Sequence, residues 1–181
     1  PHNGPTWDLP TWDVDSLRAA VKKLNRAGHQ LAFHCVGDRA IDLALDMIEE
    51  ALQDFPREDH RHRLEHVGIP TDESLDRMKS LGVVVSVQPF VIYNSGDMGI
   101  AIFGMERAQR IVPVRSFLDE GIPVAFGTDY PTILNLAPHV EMWGALTRTT
   151  HSGIVLNAGE RITIREALRA YTMGSAYAAF E

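Results

Sequence analysis

The chain has 181 residues, 45% of them hydrophobic and 23% charged, with a net charge of −7 and a mean hydropathy of −0.11. That composition excludes a disordered chain and supplies enough apolar material for one packed domain. The acidic balance argues against nucleic acid or an anionic membrane as partner, no run is apolar for long enough to span a bilayer, and the single cysteine, Cys35, excludes an internal disulfide and fits the cytoplasm.

The opening "PHNGPTWDLP", residues 1–10, is rich in Pro, Gly and Asn and reads as a loop. It has neither an initiator methionine nor the basic-then-apolar pattern of a signal peptide, and it reads as the middle of something longer. "TWDVDSLRAAVKKLNRAG" follows, with an acidic start, apolar residues at Val14, Leu17, Val21 and Leu24, and Gly28 as a stop, which predicts a helix. "QLAFHCV" is a short buried strand. "DRAIDLALDMIEEALQDF" is an amphipathic helix with Ile41, Leu45, Ile48 and Leu52 on one face. "RHRLEHVGI" is a second strand. "TDESLDRMKSLG" is a helix capped by Thr71, with Ser74 where a capping box prefers Glu or Gln, and stopped at Gly82. "VVVSVQP" is a third strand.

From Phe90 to Ile111 the pattern is mixed, and Asn94, Gly96, Gly99 and Gly104 suggest a segment lying over a surface. "VPVRSFLDEG" is a short helix with Pro113 in its first turn, "IPVAFGTDYP" a fourth strand, "PHVEMWGALTRTTH" a helix, and "TIREALRAYTMGSAYAAFE" one or two more helices. Strand–helix alternation with short connections means parallel strands joined by helical crossovers. Four such strands make either an open doubly wound sheet or half of an eight-stranded barrel.

In both architectures ligands sit at the carboxyl ends of the strands. Those ends carry His34, then Glu65 and His66, then Gln88, then Asp129. Strict alternation along each strand groups Ala32, His34 and Val36; His62, Leu64 and His66; Val84, Ser86 and Gln88; and Ala125, Gly127 and Asp129. One inward face would then gather His34, His66, Gln88 and Asp129. Two neutral imidazoles and a carboxylate suit a Zn²⁺-like ion, which lowers the pKa of a bound water, and Asp129 is the candidate to take that water's proton. A strand histidine is also an ordinary satisfied core or rim residue, so spacing alone leaves both readings open. His60 and His62 fall at the opposite rim and read as structural or solvated; His2, His29, His139 and His151 have no convergent partners; and Cys35 points away from His34.

"FHCVGDRAID", "HRLEHVGIP", "VVVSVQP", "GMERAQRIVPVRSFLDEGIPVAFGTDYP" and "REALRAYTMGSAYAA" together resemble the amidohydrolase superfamily, in its YtcJ-like, family 3 branch. The resemblance runs from about Leu31 to Tyr177. It implies an α/β fold: the C-terminal half of a (β/α)₈ barrel, parallel strands five to eight with flanking helices, as one partial domain over 1–181 (loop 1–10, half-barrel 11–181). It implies a metal-dependent hydrolase acting on non-peptide C–N bonds, of amide or formamide type, in a small molecule through a metal-activated water, with zinc as the metal. His34 and His66 match metal ligands of that family, and Asp129 matches a combined ligand and general acid/base. Gln88 and Arg107 match positions facing substrate, while Asp38 and Arg39 look structural. The family's His-x-His strand has no counterpart here, so the chain resembles a fragment, impaired on its own and prone to self-association through exposed barrel edges. The alternative is a non-catalytic α/β module that binds a metal or a partner. Tyr93, Phe103 and Trp143 admit an apolar substrate but fit core packing as well.

Overall fold

The computed structural model describes residues 12–132 and 137–181, so the loop expected over 1–10 lies outside the described residues. Four parallel strands, β1 (Ala32–Cys35), β2 (Arg63–His66), β3 (Val84–Val87) and β4 (Val124–Phe126), pair in chain order. Helices α1 (Val14–Arg26), α2 (Asp38–Asp54) and α3 (Asp72–Leu81) alternate with the first three. β3 leads into α4 (Val91–Phe103), α5 (Met105–Ala108) and α6 (Val114–Asp119). After β4 come α7 (Pro138–Thr147), α8 (Ile164–Arg169), a π-helical turn over Ala170–Gly174 and α9 (Ser175–Ala178).

The helix boundaries follow from local chemistry. Asp13 caps α1 by accepting from the Ser16 amide at 2.9 Å. Thr71 and Ser74 close a full capping box on α3, and the Ser74 hydroxyl also donates to Asp42 of α2 at 2.9 Å. That second bond explains a serine where a longer acid is usual: its oxygen is small enough to serve the cap and the neighbouring helix together.

Register fixes the two faces of the sheet. Phe33, Leu64, Val85 and Val124 are partners, and with Cys35, Val87 and Phe126 they pack into the main core among Ile41, Leu45, Ile48, Met78 and Phe117. The opposite face carries Ala32, Arg63 and Val84, then His34, Glu65, Ser86 and Ala125. Among the described residues, Val84 and Ala125 are the buried ones of that face, packed under Ala178 of α9. His62 and Leu64 therefore lie on the helix side, which corrects the grouping from simple alternation: Arg63 and Glu65 are the open-face residues of β2.

The segment from Phe90 is also corrected. It is not irregular: thirteen of its residues form α4. Its glycines are contact points in a helix, since a Cβ on Gly96 would fall 2.7 Å from Thr150 Cγ2 and one on Gly99 2.6 Å from Ile111 Cδ1. Pro113 caps α6 rather than sitting inside its first turn. The return from α5 is held by Arg148, whose fully buried guanidinium donates to the carbonyls of Leu156, Val112 and Ile111 at 2.6–2.8 Å.

At the amino ends of the strands, His60 and His62 are structural. His62 is fully buried; its Nδ1 accepts from the Leu31 amide at 3.1 Å, so Nε2 carries the proton and donates to Asn25 Oδ1 at 3.1 Å. Asn25, also buried, donates onward to the carbonyls of Ala51 and Phe55. His60 Nδ1 accepts from the His62 amide and Nε2 donates to the Leu81 carbonyl at 2.8 Å. Burial pushes the His62 imidazole down to about 3, with the His60 and Arg57 charges adding to it. Its folded pKa lies below the unfolded value near 6.5. Its contribution to stability is therefore complete above pH about 6.5 and is lost as pH falls toward about 3, because only the unfolded chain takes up the proton in that window. We expect the thermal midpoint to fall between pH 6.5 and 4, and to fall less steeply in His62→Asn, which cannot titrate; parallel slopes in differential scanning calorimetry would refute this.

Candidate metal and substrate site

The carboxyl ends of β1 and β2 bring His34 and His66 together, with ring centroids 4.6 Å apart and an edge-to-face angle of 72°. His34 is exposed on the open face of β1. His66 arrives by a different route from the one alternation suggests. It pairs in register with Cys35, whose side chain is buried on the helix side. Its backbone, however, turns left-handed, with φ of 74° at His66 and 44° at Val67. The Val67 amide bonds back to the Glu65 carbonyl at 3.0 Å, a γ-turn centred on His66 in its strained, positive-φ form. Non-glycine residues in such conformations cost of order 1–3 kcal/mol each, and they persist where surrounding structure imposes them. Here the turn delivers the ring to the open face.

Gln88, 7% exposed, fixes that ring: its Oε1 accepts from His66 Nδ1 at 2.8 Å. With Nδ1 protonated, the lone pair sits on Nε2, the arrangement an outer hydrogen-bond partner imposes on a metal-binding histidine. The residues present therefore fit two imidazole ligands of a divalent ion. Among the described residues, no group of three His, Cys, Asp or Glu side chains is placed to hold a metal. Asp129, just past β4 with φ of 55°, is thus not gathered into a cluster with the two histidines.

Glu65 shares the open face with His34, a placement missed by alternation and recoverable only from register. It is committed to Arg63, whose Nε lies 2.9 Å from Oε1. Arg107 pairs with Asp38 at 2.5 Å and lies over the Phe103 ring at 5.5 Å. Asp38 also accepts from the Arg39 amide, as expected of a residue that starts α2. His151, read as lacking a partner, meets Tyr93 Oη through Nδ1 at 2.9 Å. Tyr93 in turn stacks on Phe90 and meets Trp143 edge-on. Glu141 was also missed. A lone acid in the apolar stretch "PHVEMWGALT" was the available signal, and the structure buries it to 1% exposure.

The amidohydrolase family profile matches residues 6–181. The chain belongs to the amidohydrolase family. It is 34% identical over 171 residues to N-substituted formamide deformylase of Arthrobacter pascens, covering 92% of this chain and 30% of that protein. It is 31% identical over 179 residues to the protein LONG AFTER FAR-RED 3 of Arabidopsis thaliana, covering 96% and 30%. The crystal structure of an uncharacterized metal-dependent hydrolase from Pyrococcus horikoshii OT3 superposes with a TM-score of 0.80 at 26% identity, over 94% of this chain and 34% of that one. This amidohydrolase chain thus spans about a third of the length of the relatives it matches. No described helix is long and apolar enough to cross a membrane.

The Gln88 contact makes a direct prediction. Gln88→Ala should leave His66 as a mixture of Nδ1–H and Nε2–H forms where the wild type holds Nδ1–H. Long-range ¹H–¹⁵N correlation spectra of ¹⁵N-histidine-labelled protein read this, and an unchanged pattern would refute the role given to Gln88.

Proposed function

We propose that this chain is the C-terminal part of a metal-dependent amidohydrolase that cleaves a non-peptide C–N bond, amide or formamide in type, in a small molecule, with zinc as its metal and the cytoplasm as its compartment. The observation that carries the reading is the His34–His66 pair at 4.6 Å, with His66 Nδ1 held by Gln88. Family membership and the likeness to a formamide deformylase support the C–N bond as the target. His34 and His66 would hold the ion, and Asp129, which the described structure does not cluster with them, would have to close on the pair from the end of the fourth strand to complete the set. A divalent ion bound there supplies Lewis acidity and a water with a near-neutral pKa. The chain's own residues do the rest. Gln88 keeps the His66 proton on Nδ1, Asp129 is assigned proton uptake from the attacking water and its delivery to the leaving nitrogen, and Arg107 on α5 is assigned contact with a polar group of the substrate.

In the full-length protein, His34→Ala and His66→Ala should each lower kcat/KM on formamides or N-acyl amines by more than the roughly 10–100-fold typical of losing an outer hydrogen-bond partner. Both should also lower bound zinc, measured by atomic emission after gel filtration. Activity retained in His66→Ala would overturn the catalytic reading. Zinc binding without turnover on any amide would assign the scaffold to a binding module instead.

The 181-residue chain alone should self-associate, since β1 pairs only with β2 among the described strands and one sheet face is largely bare. Light scattering coupled to gel filtration at micromolar concentration should find dimers or larger species, and a stable monomer would refute this.

A further inference from the structure

We propose that Glu141 is a positioning residue for His66, acting through the Phe90 amide and the Gln88 side chain. Glu141 lies on α7, in a different βα unit from either residue, and is 1% exposed. Its Oε2 accepts from the Phe90 backbone amide at 2.9 Å, and among the described residues no hydrogen bond is made to its buried Oε1. Phe90 is the N-cap of α4, a helix with no side-chain cap of its own, and Pro89 before it has no N–H to offer. The Glu141 carboxyl therefore supplies from another element what the helix start lacks.

The link from there to His66 is short and stiff. Within residues 88–94 the Gln88 carbonyl accepts from the Val91 amide at 3.0 Å, the Pro89 carbonyl from Ile92 at 3.1 Å and the Phe90 carbonyl from Asn94 at 3.0 Å. Gln88 is the first residue of this wound turn and carries the amide that fixes the His66 tautomer. α7 is seated directly on the turn: a Cβ at Gly144, one helical turn on from Glu141, would fall 2.5 Å from the Pro89 carbonyl oxygen. Glu141 and the Gly144 contact thus fix the turn on the same side. A change in where Phe90 sits is thereby passed to Gln88, and through its side chain to the bond at His66 Nδ1.

A carboxyl is suited to the task in two ways. Its charge is favourable at the start of a thirteen-residue helix. Burial also raises its pKa to about 7, against the lowering effect of the Phe90 bond, and both protonation states leave an oxygen that accepts from Phe90. The conservative amide should therefore substitute for it.

The functional meaning rests on His66 being a metal ligand; the test does not, because it reads the metal-free protein. Long-range ¹H–¹⁵N spectra of ¹⁵N-histidine-labelled Glu141→Ala are expected to lose the single Nδ1–H pattern of His66, as in Gln88→Ala, and Glu141→Gln is expected to restore it. The proposal is overturned if folded Glu141→Ala keeps the wild-type pattern, or if Glu141→Gln loses it as fully as the alanine variant. Should the alanine variant not fold, Glu141→Asp decides: its carboxyl is one methylene short of Phe90, so the same loss supports the proposal and a wild-type pattern refutes it. A residue that only stabilised α7 would lower the melting temperature and leave the imidazole signals untouched. Loss of zinc binding in His34→Ala with no change at Glu141→Ala would separate a failure here from a failure of the ligand assignment.

Discussion

The site depends on the left-handed turn at His66 and Val67. In a parallel sheet covered by helices on one face, alternate side chains are committed to opposite environments. His66 stands in register with Cys35 and by that count belongs in the apolar layer, where an imidazole would need buried partners. The positive φ values at the strand end release it from that commitment and set its ring against His34. Strain of this kind is held by packing on both sides. Val67 is fully buried in the main core, and the Val112 amide donates to the Gly68 carbonyl at 2.8 Å, so the chain beyond the turn is anchored to the segment that follows α5.

The element order was legible because the signals that set it are local. Asp13, Thr71 and Thr163 announce helix starts, each side chain bonding an amide three residues on, and the apolar row of α2 lies on the buried face that a 3.6-residue period assigns it, whereas in α1 Val21 is buried and Leu24, expected in the same row, is 40% exposed. What was not legible depends on partners far away in the chain. Gly96 and Gly99 look like breaks in a helix until Thr150 and Ile111 are seen to need the space. The face of β2 was misassigned because alternation presumes an unbroken extended backbone, and the turn at His66 breaks it. Glu65 on the open face follows from strand register, a property of two strands together.

The same division holds for the carboxylates. Acids at the expected sequence positions cap their own helices, as Glu166 does with Thr163. Two others cap a helix they do not belong to: Glu141 serves the start of α4, and Glu160 accepts from the Ser116 amide and hydroxyl at the start of α6. Neither α4 nor α6 has a capping side chain of its own. Both follow β3, and both borrow their caps from the chain after β4. The last βα unit therefore does more than close the sheet; it defines where the helices before it begin.

Arg148 limits how the rim can move. A guanidinium enclosed on all sides and bonded to the carbonyls on both flanks of the fold, at Leu156 and at Ile111 and Val112, rivets the stretch that returns from α5 to the chain beyond α7. Swinging that stretch outward like a door would strip a charge of its ligands inside an apolar layer, at a cost no small guest molecule repays. The stretch beyond α5 is therefore a fixed doorstep beside the strand ends, whatever the rest of the rim does.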